Sequence, residues 1–283
     1  MEWALFIKRP EEFKCIDEHF STWQKVDHPD TGFPYPVSEV SFSRTYFGNE
    51  FCERTIPSLN ELENCLFTSL ERGLSFTFVT PHVTDQYIEA LSSCFDLLAH
   101  DAEGTEVVVN DWGVLRLLRK NHIELTPVLG RILNRSHRGF ERSNASNLTY
   151  FPYRRFLSNY GVRRVEFDCP IQVTRIGLEK TGLSGSLYLP FDCCVTGGAH
   201  LTGESSMQKA EHVRRCEECY RQCQDLAREL SSTATYEEKV VSMASGRDNF
   251  IPRTIATVLM EKKLESIPDS TIDRLICQSS ATV

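Results

Sequence analysis

No apolar stretch in this chain approaches the roughly 20 residues needed to cross a bilayer, so a helical membrane span is not expected. The first residues, Met1 to Pro10, lack the basic start and unbroken apolar run of an export signal, which points to the cytosol. Positive charge is not in excess: net charge is −8, against a broad electrostatic grip on nucleic acid. After the first apolar run there is neither a Gly-rich dinucleotide fingerprint nor a P-loop. A His-Glu-x-x-His zinc motif is missing too, and no Ser/His/Asp arrangement can be read from the sequence.

What the chain has in quantity is cysteine, 11 in 283 residues. In a reducing compartment, clustered cysteines read better as metal ligands or redox groups than as disulfides. Cys15, Cys65 and Cys94 sit in helical patterns among apolar neighbours and read as small core hydrophobes, as does Cys277 at the end of the last apolar run. Cys169 follows an apolar run with no cysteine near it in sequence.

Apart from Cys52, the rest concentrate at 193–223, where Cys193 and Cys194 precede the spacing Cys216-x2-Cys219-x3-Cys223. On a helix those three would share one face. Seven residues rise about 10.5 Å, too far for Cys216 and Cys223 to hold one small metal group together. The pair is therefore Cys216 with Cys219, or Cys219 with Cys223. Zinc and an iron–sulfur cluster would both accept such thiolates.

Short β-rich runs alternate with helical patterns along the chain. Strands are predicted at 3–7, 37–47, 75–79, 105–109, 124–129, 162–167, 186–189 and 272–276. Helices are predicted at 57–72, with Leu59, Leu62, Leu66 and Leu70 on one stripe, and at 86–99, 114–119, 153–159 and 253–263. About eight strands with intervening helices predict a (β/α)8 TIM-like barrel, one α/β domain over residues 1–283, with an open doubly wound sheet as the alternative.

Pieces spaced along nearly the whole chain resemble, in order, the collagenase-like peptidases of the U thirty-two class. They are Tyr46-Phe47-Gly48 with Cys52-Glu53-Arg54, Phe78-Val79-Thr80-Pro81, Asn110-Asp111-Trp112-Gly113, Gly130-Arg131-Ile132-Leu133-Asn134, Tyr188-Leu189-Pro190 with Cys194, and the 216–223 segment. Gly197-Gly198 stand where typical members carry an arginine.

The resemblance implies an iron–sulfur protein similar to the ubiquinone-biosynthesis accessory members. It implies a 4Fe-4S cluster on Cys52, Cys194, Cys219 and Cys223, with Cys216 as the alternative ligand. It also implies oxygen-independent hydroxylation or modification of a small biosynthetic substrate, using an organic-acid oxygen donor, alone or beside a homologous barrel subunit. RNA is the less favoured substrate, a peptidase is the older family reading, and a non-catalytic accessory or redox-sensing protein is the third.

Residues just past the strand ends are expected to line a barrel site. They are His82, Asp85, Asn110, Asp111, Arg131, Asn134, Glu166 and Asp168. Arg131 and Asp168 are the leading catalytic candidates, because a guanidinium offers a planar fork to a carboxylate such as the oxygen donor's. Asp111 reads equally well as a helix N-cap.

Overall fold

The computed structural model describes residues 1–7, 41–136, 147–167, 178–189, 191–193, 250–252 and 272–278, together with Pro10 and Phe13. Eight parallel strands close into a barrel in the order β1-β10-β7-β6-β5-β4-β3-β2. They are β1 (Glu2–Ile7), β2 (Arg44–Gly48), β3 (Ser75–Val79), β4 (Glu106–Val109), β5 (Thr126–Leu129), β6 (Arg164–Phe167), β7 (Ser184–Leu189) and β10 (Ile272–Gln278). The barrel reading therefore holds and the open sheet does not. Between β7 and β10 in sequence, β8 (Phe191–Cys193) and β9 (Phe250–Pro252) form a separate antiparallel pair that the pattern of apolar runs did not reveal. The expected helix at 253–263 lies outside the described residues.

Side chains on a strand alternate between faces, which divides the core in two. Leu5, Ile7, Phe47, Phe76, Phe78, Val107, Val109, Leu129, Val165, Phe167 and Leu187 point outward into one cluster with the helices. Ala4, Phe6, Tyr46, Val79, Val108, Val128, Tyr188 and Ile276 point inward and fill the barrel. Both faces of every strand are thus covered, as parallel sheets require.

The helix Leu59–Glu71 follows from its local chemistry. Ser58 and Glu61 form a capping box, each side chain bonding the other's backbone N–H. Gly73, at φ 72, ends it. Its buried face is Leu62, Cys65, Leu66 and Ser69, whereas Leu59 and Leu70 are each 45% exposed. The all-leucine stripe predicted here is only partly buried, because at about 100° per residue Leu59 and Leu70 both lie roughly 60–80° around the helix from Leu62, on the side away from Cys65 and Ser69. A small thiol and a hydroxyl complete the contact instead.

Gly48 closes β2 at φ +131, and a Cβ there would stand 2.2 Å from the Val79 carbonyl oxygen. Both the backbone angle and the space exclude a side chain. Gly48→Ala is expected to cost at least about 2 kcal/mol, read from the urea midpoint, since neither strand can retreat without breaking the barrel.

Candidate functional site

At the amino-terminal end of the strands the barrel is plugged by charge. Arg274 donates to Glu106 (2.5 and 3.1 Å), to Glu2 (2.6 Å) and to the Tyr46 hydroxyl (2.7 Å). Arg44 donates to Glu2 (2.7 Å) and Thr77 (3.0 Å), and Arg164 to Asp273 (2.5 and 3.0 Å) and Ser186 (3.1 Å). Three acids match three bases here, the pattern of a structural plug. In barrels this end serves stability, and chemistry sits at the other.

The carboxyl-terminal mouth holds a second polar layer. From the loop after β2, Glu50 turns inward and accepts two hydrogen bonds from Arg131, Nε to Oε1 at 2.9 Å and Nη2 to Oε2 at 2.5 Å. Both residues are buried. The Arg131 guanidinium lies 3.8 Å from the centroid of the Tyr188 ring, a cation–π contact. The Tyr188 hydroxyl donates to Glu166 Oε2 at 2.8 Å.

Burial pushes the Glu166 carboxyl up, and the Glu50 charge adds to the rise, to about 8 despite the hydrogen bond from Tyr188 and the charges of Arg131 and Arg274. Burial likewise holds the Tyr188 hydroxyl well above the ordinary range, so it stays protonated and can donate.

Arg131, chosen from the sequence, is therefore in this layer, but the Nε–Nη2 face of its fork is filled by Glu50 and not held open for a substrate carboxylate. Glu50 and Tyr188 were missed. Their signals were present: Glu50 follows the Gly48 strand end, and Tyr188 is two positions from Ser186 on β7 and so shares its inward face.

The other candidates divide by place. Asn110 is buried and binds backbone, donating to Thr80 O (2.9 Å) and accepting from Ile132 N (3.3 Å). Its amide lies over Gly130, where a Cβ would stand 2.1 Å from Oδ1. Asn134 donates to Glu166 O at 2.9 Å and so steadies β6. Asp111 caps the helix Trp112–Asn121 by accepting from Gly113 N and Val114 N, the N-cap role already weighed for it. His82, 72% exposed, stands 3.3 Å from Asp111 at the surface. Asp85 is exposed. Asp168 lies outside the described residues.

Of the cysteines, Cys65 and Cys94 are buried in the outer apolar layer and Cys277 is buried on β10, as expected for small hydrophobes. Burial pushes the Cys94 thiol up to about 12 and the Cys277 thiol higher still, so neither is a ready thiolate. Cys52 differs. It is half-buried at the mouth, just past Glu50, on a loop pinned by Asn49 Oδ1, which accepts from Phe51 N (2.7 Å) and Cys52 N (3.2 Å). The predicted ligands Cys194, Cys219 and Cys223, the alternative Cys216, and Cys15 and Cys169 lie outside the described residues. Cys193 ends β8. Among the described residues no group of three or more His, Cys, Asp or Glu side chains could hold a metal ion.

One arrangement was not foreseen. His122 Nε2 lies 3.4 Å from Ser92 Oγ, and His122 Nδ1 lies 3.5 Å from Asp96 Oδ1. The order is that of a hydrolytic triad, but the contacts exceed the usual 2.6–3.2 Å. Asp96 is 74% exposed, and Ser92 sits mid-helix, where backbone N–H groups are committed to the helix and make no oxyanion hole. The contacts hold one helix against the next.

No protein-family description matches this chain, and no curated protein matches it. Among solved structures, the U32 peptidase Mk0906 matches over 66% of this chain and 68% of its own, at 12% identity and a TM-score of 0.39. That is a partial likeness of fold, and peptidase is that protein's name. No helix among the described residues is long and apolar enough to cross a membrane.

Proposed function

We propose that this chain is an iron–sulfur barrel protein that modifies a small organic molecule at the carboxyl-terminal mouth. Its 4Fe-4S cluster would rest on Cys52, Cys194, Cys219 and Cys223, and a homologous barrel would serve as its partner subunit. The chemistry is oxygen-independent hydroxylation, with the oxygen supplied by an organic acid.

The observation that carries this reading is the loop 48–52. One turn places a half-buried thiol at the mouth and, two residues earlier, the carboxylate that anchors Arg131 inside. The donor fits, since a half-buried thiol at the rim can be reached by iron where the fully buried thiols cannot. When bound, such a cluster exchanges single electrons. The chain's own residues do the remainder: Glu50 and Arg131 fix the floor of the mouth, and Tyr188 orients Glu166.

Anaerobic reconstitution tests the cluster. The wild type is expected to bind about four irons and four sulfides per chain. Cys52→Ala is expected to lose most of both, with unchanged far-ultraviolet circular dichroism. Iron binding that survives Cys52→Ala, or a wild type that binds zinc in place of iron, would sink the reading.

A further inference from the structure

Among the described residues, one atom of the polar layer at the mouth stands out. Arg131 donates twice to Glu50, Arg131 lies on the Tyr188 ring, and Tyr188 donates to Glu166 Oε2. The other carboxyl oxygen, Glu166 Oε1, is buried with no hydrogen-bond partner among the described residues. A buried polar atom left in that state is costly, and a fold keeps one where something else is to meet it.

The charges around it limit what that something is. Among the described residues the ionisable groups facing Glu166 are Glu50 from the loop after β2, Arg131 after β5, Tyr188 on β7, Tyr46 on β2 and Arg274 on β10. Glu50 and Arg131 cancel. Arg274 is engaged by Glu2 and Glu106 at the far end of the barrel. Counted over the described residues, the layer is therefore neutral when Glu166 carries its proton, which burial and the Glu50 charge both favour.

We propose that Glu166 is a hydrogen-bond donor whose Oε1 receives a neutral carbonyl or hydroxyl oxygen of the ligand. An anionic group there would face the Glu50 carboxylate and find the Arg131 fork filled. A cationic group would strip the proton and leave an added charge pair in a dry layer. A neutral oxygen accepts the O–H and adds no charge. If the ligand is an organic acid, its carboxylate stays outward. The proposal rests on the mouth being a ligand site and does not depend on the cluster.

Infrared spectroscopy of the full chain reads the group directly. The C=O stretch of a protonated buried carboxyl is expected at pH 7, absent in Glu166→Gln, and fading with a midpoint near 8. Acetamide is expected to lower its frequency without bleaching it, while acetate and methylammonium leave it unmoved. Should the variant fail to fold, carbon-13 NMR of carboxyl-labelled glutamate in the wild type gives the same titration. An ionised Glu166 at pH 6 would overturn the proposal. So would bleaching by methylammonium, a shift with acetate, or a titrating band that no probe moves. Iron content after Cys52→Ala bears on the cluster alone, so the two failures are distinguishable.

Discussion

Glu106→Ala will lower the stability of the barrel by about 3–5 kcal/mol, seen as a lower urea midpoint at neutral pH. The carboxylate accepts two of the Arg274 hydrogen bonds and one from Thr77. The Arg274 side chain is 2% exposed, so loss of the Glu106 carboxylate leaves a buried cation with Glu2 as its remaining acid. Breaking one side of such a pair costs far more than replacing both sides. Glu106→Leu with Arg274→Met is therefore expected to recover much of the loss. A drop under about 1 kcal/mol would mean that water reaches the plug and that it behaves as a surface pair.

The same plug fixes the acid side of the stability profile. Burial acts to raise Glu106, but the Arg274, Arg44 and Arg164 guanidiniums outweigh it and hold the carboxyl below its ordinary value. Glu2 is lowered in the same way by Arg274 and Arg44. Groups with depressed folded-state pKa values contribute stability above the unfolded value, about 4.5, and lose it as pH falls through the folded one. Stability should drop below about pH 4.5.

Glu166→Gln should have the opposite sign. The folded state holds this proton up to about 8, against 4.5 unfolded. Folding is thus unhindered by Glu166 below pH 4.5 and increasingly opposed as pH rises toward 8. Glutamine cannot ionise and still accepts from Tyr188. The variant is expected to match the wild type near pH 4 and to exceed it by a few kcal/mol, on the order of magnitude of the shift, at pH 8. Urea unfolding at both pH values checks this. A variant less stable than the wild type at pH 8 would show that Glu166 is stably ionised. A stabilising change at a candidate site is the mark of a residue kept for use at the expense of the fold.

Much of the barrel was legible because a parallel strand buried on both faces is a nearly continuous apolar run, as in Phe76-Thr77-Phe78-Val79 and Val107-Val108-Val109. The end of the first long helix was legible from Gly73, whereas the Ser58–Glu61 capping box sets its start just inside the position predicted. The pair β8–β9 was not, because three-residue strands carry too little pattern. At the site, Arg131 and Glu166 could be chosen as polar residues at strand ends. That Glu50 would fill the Arg131 fork could not, since the two are 81 residues apart and their meeting depends on barrel curvature. The Ser92–His122–Asp96 contact escaped for the same reason: only packing brings two helix surfaces into register. The cysteine expectations at 194–223 fall outside the described residues.

The bond from Arg274 to Glu2 joins positions 272 apart, and β10 is the strand that closes the circle. During synthesis β1 to β7 leave the ribosome well before β10 exists. In that interval β1 and β7 are open edges, and the carboxylates of Glu2 and Glu106 await their main cation. Loop closure over such a separation is entropically slow to reward, so docking of β10 should be the late step. A nascent seven-strand intermediate with two bare edges is a natural client for chaperones and a natural seed for misassembly.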